Sequence, residues 1–388
     1  MTEKDLRLDL QNAPVPAELE AQRRAWAVVG PAYAEREPVS RRARRLRPVI
    51  ALAVVAALVA AALSPPGRAV GDWIRDRVAG KEDAEPALVR LPAPGRLLVL
   101  SERGPWIVRP DGSKRLLGDY EGASFSPNAL FVVATDGRRV VALEPGGEPR
   151  WSLSRPSPVA DARWAPTPGF RVAYREGATL RVVDGDGTDD RLLARGVAAI
   201  APAWLPREGR TVLAYADAAG RVHVVEADSG EKLWSVNPGS RPEKLVWSPD
   251  GRRLLVVTAG SRHPLYRRGG RAARKLETRA GHDVLDAELA PGTGEVAYSS
   301  FDPETGRSAI VVGGERMQSV EGRIEDLVYS PNGRRLLAGW PDADQLLFLP
   351  LGDARGLVAV DDVRREFAPG SGGGAFPRVA EWCCPARG

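Results

Sequence analysis

The chain has 388 residues, 43% of them hydrophobic and 27% charged, with 41 Gly, 33 Pro and a formal charge of +5. That composition excludes a disordered or collagen-like chain and suits a globular one with many turns. The charge excludes less than its sign suggests. Residues 1–48 hold ten Lys or Arg against seven Asp or Glu, leaving 55 − 10 = 45 basic and 50 − 7 = 43 acidic groups in the other 340 residues. A main body so near neutrality leaves Arg262 to Lys275 as the best candidate for the basic stripe that nucleic acid demands, and no nucleic-acid partner is expected.

Residues 1–48 read as a cytoplasmic tail with one short amphipathic helix. Within residues 16–37, Leu19, Trp26, Val29, Ala32 and Tyr33 share a helical stripe. So few residues cannot form a core alone, so the stripe either meets a cytoplasmic protein partner or lies on the membrane. Residues 49–64 follow as a single transmembrane helix. The fifteen apolar residues at 49–63 carry no charge. At 1.5 Å per residue they span about 22 Å, short of a hydrocarbon core of about 30 Å, so the flanking residues must extend the span. Arg41, Arg42, Arg44, Arg45 and Arg47 precede it. Positive residues stay on the cytoplasmic side, so the bulk of the chain is expected outside the cell membrane. A cleaved secretory signal is the rival reading, from the small residues Ala60, Ala61 and Ala62.

Residues 65–94 read as a membrane-proximal helix and linker, with Val70, Trp73, Ile74 and Val78 on one helical face. From residue 95 to 388 one phrase recurs: an aromatic or apolar residue, Ser or Ala, Pro, a turn residue, then a β-rich run. The copies begin at Phe125, Trp164, Trp204, Trp247, Leu289 and Tyr329, 39 to 43 residues apart, with a weaker one at Leu91. That period is one four-stranded propeller blade. The turn prolines are Pro127, Pro166, Pro206, Pro249, Pro291 and Pro331, joined by Asp250, Gly251 and Gly333 in the fullest copies. Pro fixes φ and Asp-Gly supplies a tight reversal, so each copy predicts a hairpin. Apolar runs such as Leu254 to Val257 predict strands buried on both faces, and Arg221-Val-His-Val-Val an outer strand that alternates.

The fold class is therefore all-β: a β-propeller of seven blades of four antiparallel strands, preceded by one transmembrane helix. Six blades, with the first unit as linker or cap, is the alternative. The segment from Phe376 to Trp382 falls where an eighth innermost strand would begin, and it is expected to complete the first blade and close the ring. These repeats resemble the TolB-type propeller family, through Trp247-Ser-Pro-Asp-Gly and the outer-hairpin sequences around Asp111 and Asp184 to Gly187. The resemblance covers about 290 residues and implies a WD-like fold. It implies no activity, because many functions use such propellers. With Arg favoured over Lys, it points to a bacterial source.

Candidate chemistry is sparse. His223, His263 and His282 fall in different repeats without metal-ligand spacing, and the only cysteines are the adjacent Cys383 and Cys384. No metal, cofactor or catalytic residue is expected, and the cysteines can form a vicinal disulfide, remain free or bond another chain. Asp184, Asp186, Asp189 and Asp190 read as a hairpin turn rather than a calcium loop, which would need a terminal Glu. Arg262, Arg267, Arg268, Arg271, Arg274 and Lys275 read as a solvated strand pair. No G-x-S-x-G occurs, and the glycine-rich stretch at 370–374 lacks the Lys of a phosphate loop. The expectation is a non-enzymatic, membrane-anchored extracytoplasmic module that binds or scaffolds a protein, peptide or glycan. A one-pass regulator resembling anti-sigma proteins in layout and a propeller hydrolase or lyase are the alternatives.

Overall fold

The computed structural model divides the chain into two units, Met1–Pro66 and Gly67–Gly388. It describes residues 90–384 apart from 167–169, 207–210, 260–261, 268, 279–280 and 369–373. The tail, the span expected at 49–64 and the helix expected after it lie outside the described residues. So does most of the glycine-rich stretch. Among the described residues no helix is long and apolar enough to cross a membrane.

Among the described residues, twenty-eight strands form seven four-stranded antiparallel sheets. Blade 1 contains β1 (Arg96–Ser101), β2 (Gly104–Val108) and β3 (Lys114–Leu116). Blade 2 runs through β4 (Gly122–Phe125), β5 (Val132–Asp136), β6 (Arg139–Leu143) and β7 (Pro149–Ser154), and blade 3 through β8 (Val159–Trp164), β9 (Arg171–Glu176), β10 (Thr179–Asp184) and β11 (Arg191–Arg195). Blade 4 is β12 (Ala203–Trp204), β13 (Val212–Ala216), β14 (Val222–Glu226) and β15 (Lys232–Val236), and blade 5 is β16 (Pro242–Trp247), β17 (Arg253–Thr258), β18 (Arg262–Arg267) and β19 (Ala272–Glu277). Blade 6 is β20 (Asp283–Leu289), β21 (Val296–Asp302), β22 (Arg307–Val312) and β23 (Glu315–Glu321). Blade 7 is β24 (Glu325–Tyr329), β25 (Arg335–Trp340), β26 (Gln345–Pro350) and β27 (Val358–Val360). The last strand, β28 (Arg378–Cys383), returns to pair with β1 and becomes the innermost strand of blade 1. The expected closure is thus present, and the six-bladed alternative is excluded. Strand β28 begins two residues after Phe376, whose ring instead lies against Gly339 of blade 7.

The recurrent turn works through its serine. Ser248 accepts the Arg253 N–H on its hydroxyl at 2.9 Å and meets Asp250 at 2.5 Å, and Gly251, at φ +64°, closes the reversal. Ser330 repeats this with Asn332 and Arg335, and the Ser126 hydroxyl accepts from Phe131. All three serines are buried, so each hydroxyl satisfies turn groups that water cannot reach.

Two expectations about local burial change. The third strand β14 is not alternating but buried at Val222, His223, Val224 and Val225. A third strand still lies between neighbouring blades, and the alternation falls on fourth strands such as β7. The connection from β27 to β28, which no periodicity marked, holds the short helix α1 (Val363–Phe367). Its Val363 and Phe367 are fully buried with Leu97, Val108, Phe348 and Trp382, filling the wedge between blades 7 and 1. Phe367 meets Trp106 edge-on at 5.9 Å, and Glu366 pairs with Lys114 of blade 1.

Candidate functional site: the central channel

The seven innermost strands surround a cavity of about 990 Å³. Because every blade repeats the same strand order, equivalent repeat positions face the channel at similar depth. Three residues before each anchor residue stand, from blade 2 round to blade 1, Gly122, Asp161, Ala201, Lys244, Asp286, Asp326 and Val379. One residue before stand Ser124, Arg163, Ala203, Val246, Glu288, Val328 and Glu381. The wall is therefore divided. Blades 5, 6, 7 and 1 bring most of the charge, while blade 4 brings Ala199, Ile200, Ala201, Pro202 and Ala203.

Bulges aim the charged groups. The pairing of innermost with second strand slips at Ala160/Arg163, Pro242/Lys244, Val284/Asp286, Glu325/Val328 and opposite Leu98/Val99. Asp161 and Asp326 stand at φ +55° and +54° within these bulges. A bulge inserts an extra residue and re-aims its side chain, here toward the axis.

Three carboxylates then tie successive blades together. Asp286 of blade 6 accepts the Leu327 N–H of blade 7 at 2.8 Å, and Asp326 of blade 7 accepts the Val379 N–H of the closing strand at 3.0 Å. Glu381 of that strand accepts the Phe125 N–H of blade 2 at 2.8 Å. Lys244 extends the chain of contacts to blade 5, with its ammonium 2.6 Å from Asp286 and 2.8 Å from Glu288. Asp161 is held by Arg175 at 2.6 Å.

These surroundings set the charges. Burial alone would lower the Lys244 pKa, but Asp286 and Glu288 outweigh it and hold the ammonium protonated well above its usual range. Burial raises Glu288 by more than Lys244 lowers it, and burial likewise raises Glu381 against the pull of Arg163. Asp326 is pushed up to about 7, by burial first and by the charge of Asp286 second, with Arg378 and the Val379 N–H opposing.

The anchor aromatics add neutral contacts. Trp204 donates its indole N–H to the Arg163 carbonyl at 2.9 Å, and Trp247 donates to that of Ala203 at 3.1 Å, each reaching back to the preceding blade. Cys383 and Cys384 are disulfide-bonded and line the same channel, with Cys384 at φ +62°.

The other singled-out residues lie elsewhere. His223 pairs with Asp217 at 2.8 Å, and His263 is buried, which depresses its pKa, with a ring nitrogen accepting the Thr258 N–H. His282 lies 3.6 Å from Asp302. The aspartates of the outer hairpin are occupied by arginines: Asp184 by Arg171, Asp189 by Arg191, and Asp190 by Arg155 and Arg181 at 2.7 Å each. Asp186 caps its own turn through Thr188. Among the described residues no group of three or more His, Cys, Asp or Glu could hold a metal ion. Arg262, Arg267, Arg271, Arg274 and Lys275 fall on or between β18 and β19, as a strand pair in one blade.

No family model matches the chain. No curated protein matches it either. Among solved structures, it is similar to the β-propeller domain of Cps50 (Swd1) from Myceliophteria thermophila, at 12% identity and a TM-score of 0.48, over 62% of this chain and 85% of that one. The seven-bladed architecture rests on the chain's own strand order.

Sequence reasoning found the turns and missed the channel charges. The signal was present: Asp161, Lys244, Asp286 and Asp326 share one repeat position, three before the anchor. Comparison of the residues before each anchor, and not only of the turn after it, exposes it.

Proposed function

We propose that the chain is a non-enzymatic binding module whose central channel receives a loop or peptide of a protein partner, held outside the cell membrane by the segment at 49–64. The observation that carries this reading is the divided wall, charged along blades 5, 6, 7 and 1 and apolar along blade 4. A peptide presents both kinds of surface, and a pocket that is partly apolar with a few fixed polar groups is the usual form of a recognition site. The ion pairs and backbone hydrogen bonds of the channel carboxylates support a role in orientation rather than turnover. The five arginines at 41–47 support the outward orientation.

The test fills the channel. Crosslinking of the full chain in its native membrane identifies the bound protein. Ala201→Trp, which inserts an indole into the apolar wall, is expected to abolish that crosslink, while Val358→Glu on the outer surface preserves it. Retention of the crosslink by Ala201→Trp, or turnover of a substrate that channel substitutions abolish, would overturn the reading.

A further inference from the structure

Asp286 and Asp326 occupy the same repeat position on neighbouring blades, both lining the channel. Their surroundings differ. Asp286 has an ammonium at 2.6 Å and two backbone N–H donors, from Ala287 and Leu327 at 2.8 Å each. Asp326 has one backbone donor, Val379, and that donor belongs to the strand that closes the ring. No cation lies in hydrogen-bond contact with it among the described residues.

We propose that Asp326 is a proton-operated switch in the channel wall, gaining or losing one proton at the junction of blade 7 with the closing strand and so setting the charge the channel presents to its ligand. The inference rests on the channel being the ligand site. The strands packed on β24 set the balance unequally. Strand β20 presents Asp286 and Glu288, whose charges Lys244 of β16 partly neutralises. Strand β28 presents Arg378, which favours the ionised form of Asp326, and Glu381, which is tied to Phe125. Strand β24 itself carries Glu325, whose carboxylate lies 3.5 Å from Arg323. The charged groups of β21 and β25 are engaged elsewhere, Asp302 near His282 and Arg335 on the carbonyls of Arg355 and Gly356. Loss of hydration and repulsion from Asp286 thus act on Asp326 with one exposed arginine and the Val379 N–H to oppose them, which puts its proton exchange near pH 7.

The direction follows by linkage. A carboxyl whose folded value stands above its unfolded value of about 3.9 retains its proton in the fold, so it favours the fold at low pH. That advantage declines as pH rises from about 4 through about 7. Loss of the proton adds one negative charge beside Asp286 while the Val379 N–H keeps its acceptor. The switch therefore changes the field of the channel without opening the ring.

The full chain, its Asp326→Asn variant and its Arg378→Gln variant are compared by difference infrared spectroscopy and by melting between about pH 5.5 and about pH 8.5. Asn retains an acceptor for Val379 and has no proton to exchange. The wild type is expected to lose the carbonyl stretch of a protonated carboxyl between about pH 6 and about pH 8, and its melting temperature relative to Asp326→Asn falls as pH rises from about 5.5 to about 7 and levels off above that. In Arg378→Gln, at an exposed position, the midpoint moves to higher pH by up to about one unit. Loss of the same band from Asp326→Asn, an identical slope of melting temperature in both chains, or a midpoint unmoved by Arg378→Gln would overturn the proposal. None of these readouts requires a ligand, so a failure here is separate from a failure of Ala201→Trp to release a partner.

Discussion

Replacement of Trp382 by Ala tests the ring closure where it is most concentrated. Trp382 is 6% exposed, meets Phe348 of blade 7 edge-on at 5.6 Å and donates its indole N–H to the Pro94 carbonyl at 3.1 Å. Burial of an aromatic side chain at this density makes Trp→Ala cost about 3–5 kcal/mol, of which roughly 1 is the unpaired carbonyl. A ring of roughly 290 residues unfolds with an entropy of about 0.6 kcal/mol per degree, so ~4 kcal/mol lowers its midpoint by ~7 °C. Trp382→Phe keeps the ring contact and loses the hydrogen bond, so it falls by only ~2 °C. Calorimetry of the full chain reads both shifts, and hydrogen exchange adds location. Strand β1 should lose amide protection before blades 3 and 4, because β28 is its partner on the channel side. A midpoint for Trp382→Ala within about 1 °C of wild type, or protection lost evenly round the ring, would refute closure through β28.

Lys244→Met leaves Asp286 and Glu288 facing each other without their cation, and should cost about 2–3 kcal/mol in a urea titration. That is below the value for a fully buried pair, because the Lys244 side chain is 36% exposed. A cost under about 0.5 kcal/mol would mean that the channel is wet enough to screen the pair. Asp190→Asn removes the charge shared by Arg155 and Arg181 and weakens the bond from the Tyr174 hydroxyl at 2.7 Å. Burial raises the Asp190 pKa, but those donors outweigh it and hold it below the usual carboxylate range. Its stabilisation is then present above about pH 4 and lost as pH falls through the lowered value. The gap in melting temperature between Asp190→Asn and wild type should therefore be wide near about pH 7 and shrink in acid; a constant gap would rule out the charge as its cause.

Local chemistry determined the blades. The Trp-Ser-Pro-Asp-Gly turn at 247–251, its relatives at the other anchors and the apolar runs after them act within a few residues, where Pro, Gly and a serine hydroxyl decide the backbone path. The blade count and the closing strand followed from the period, and both could be read without any long-range contact. The span expected at 49–64 lies outside the described residues. Tertiary structure alone decided the rest. Lys244 meets Asp286 across 42 positions, Asp326 meets Val379 across 53, and Glu381 meets Phe125 across 256. Which carboxylate receives an ammonium and which only a backbone N–H depends on the neighbouring blade, and bulges one or two residues long decide which side chain faces the axis. The sequence beside Asp326 differs from that beside Asp286 chiefly by the adjacent Glu325, the smallest of the influences on Asp326. The raised pKa of Asp326 comes from its burial, the neighbouring charge of Asp286 and a closing strand that brings a backbone N–H but no ammonium into hydrogen-bond contact.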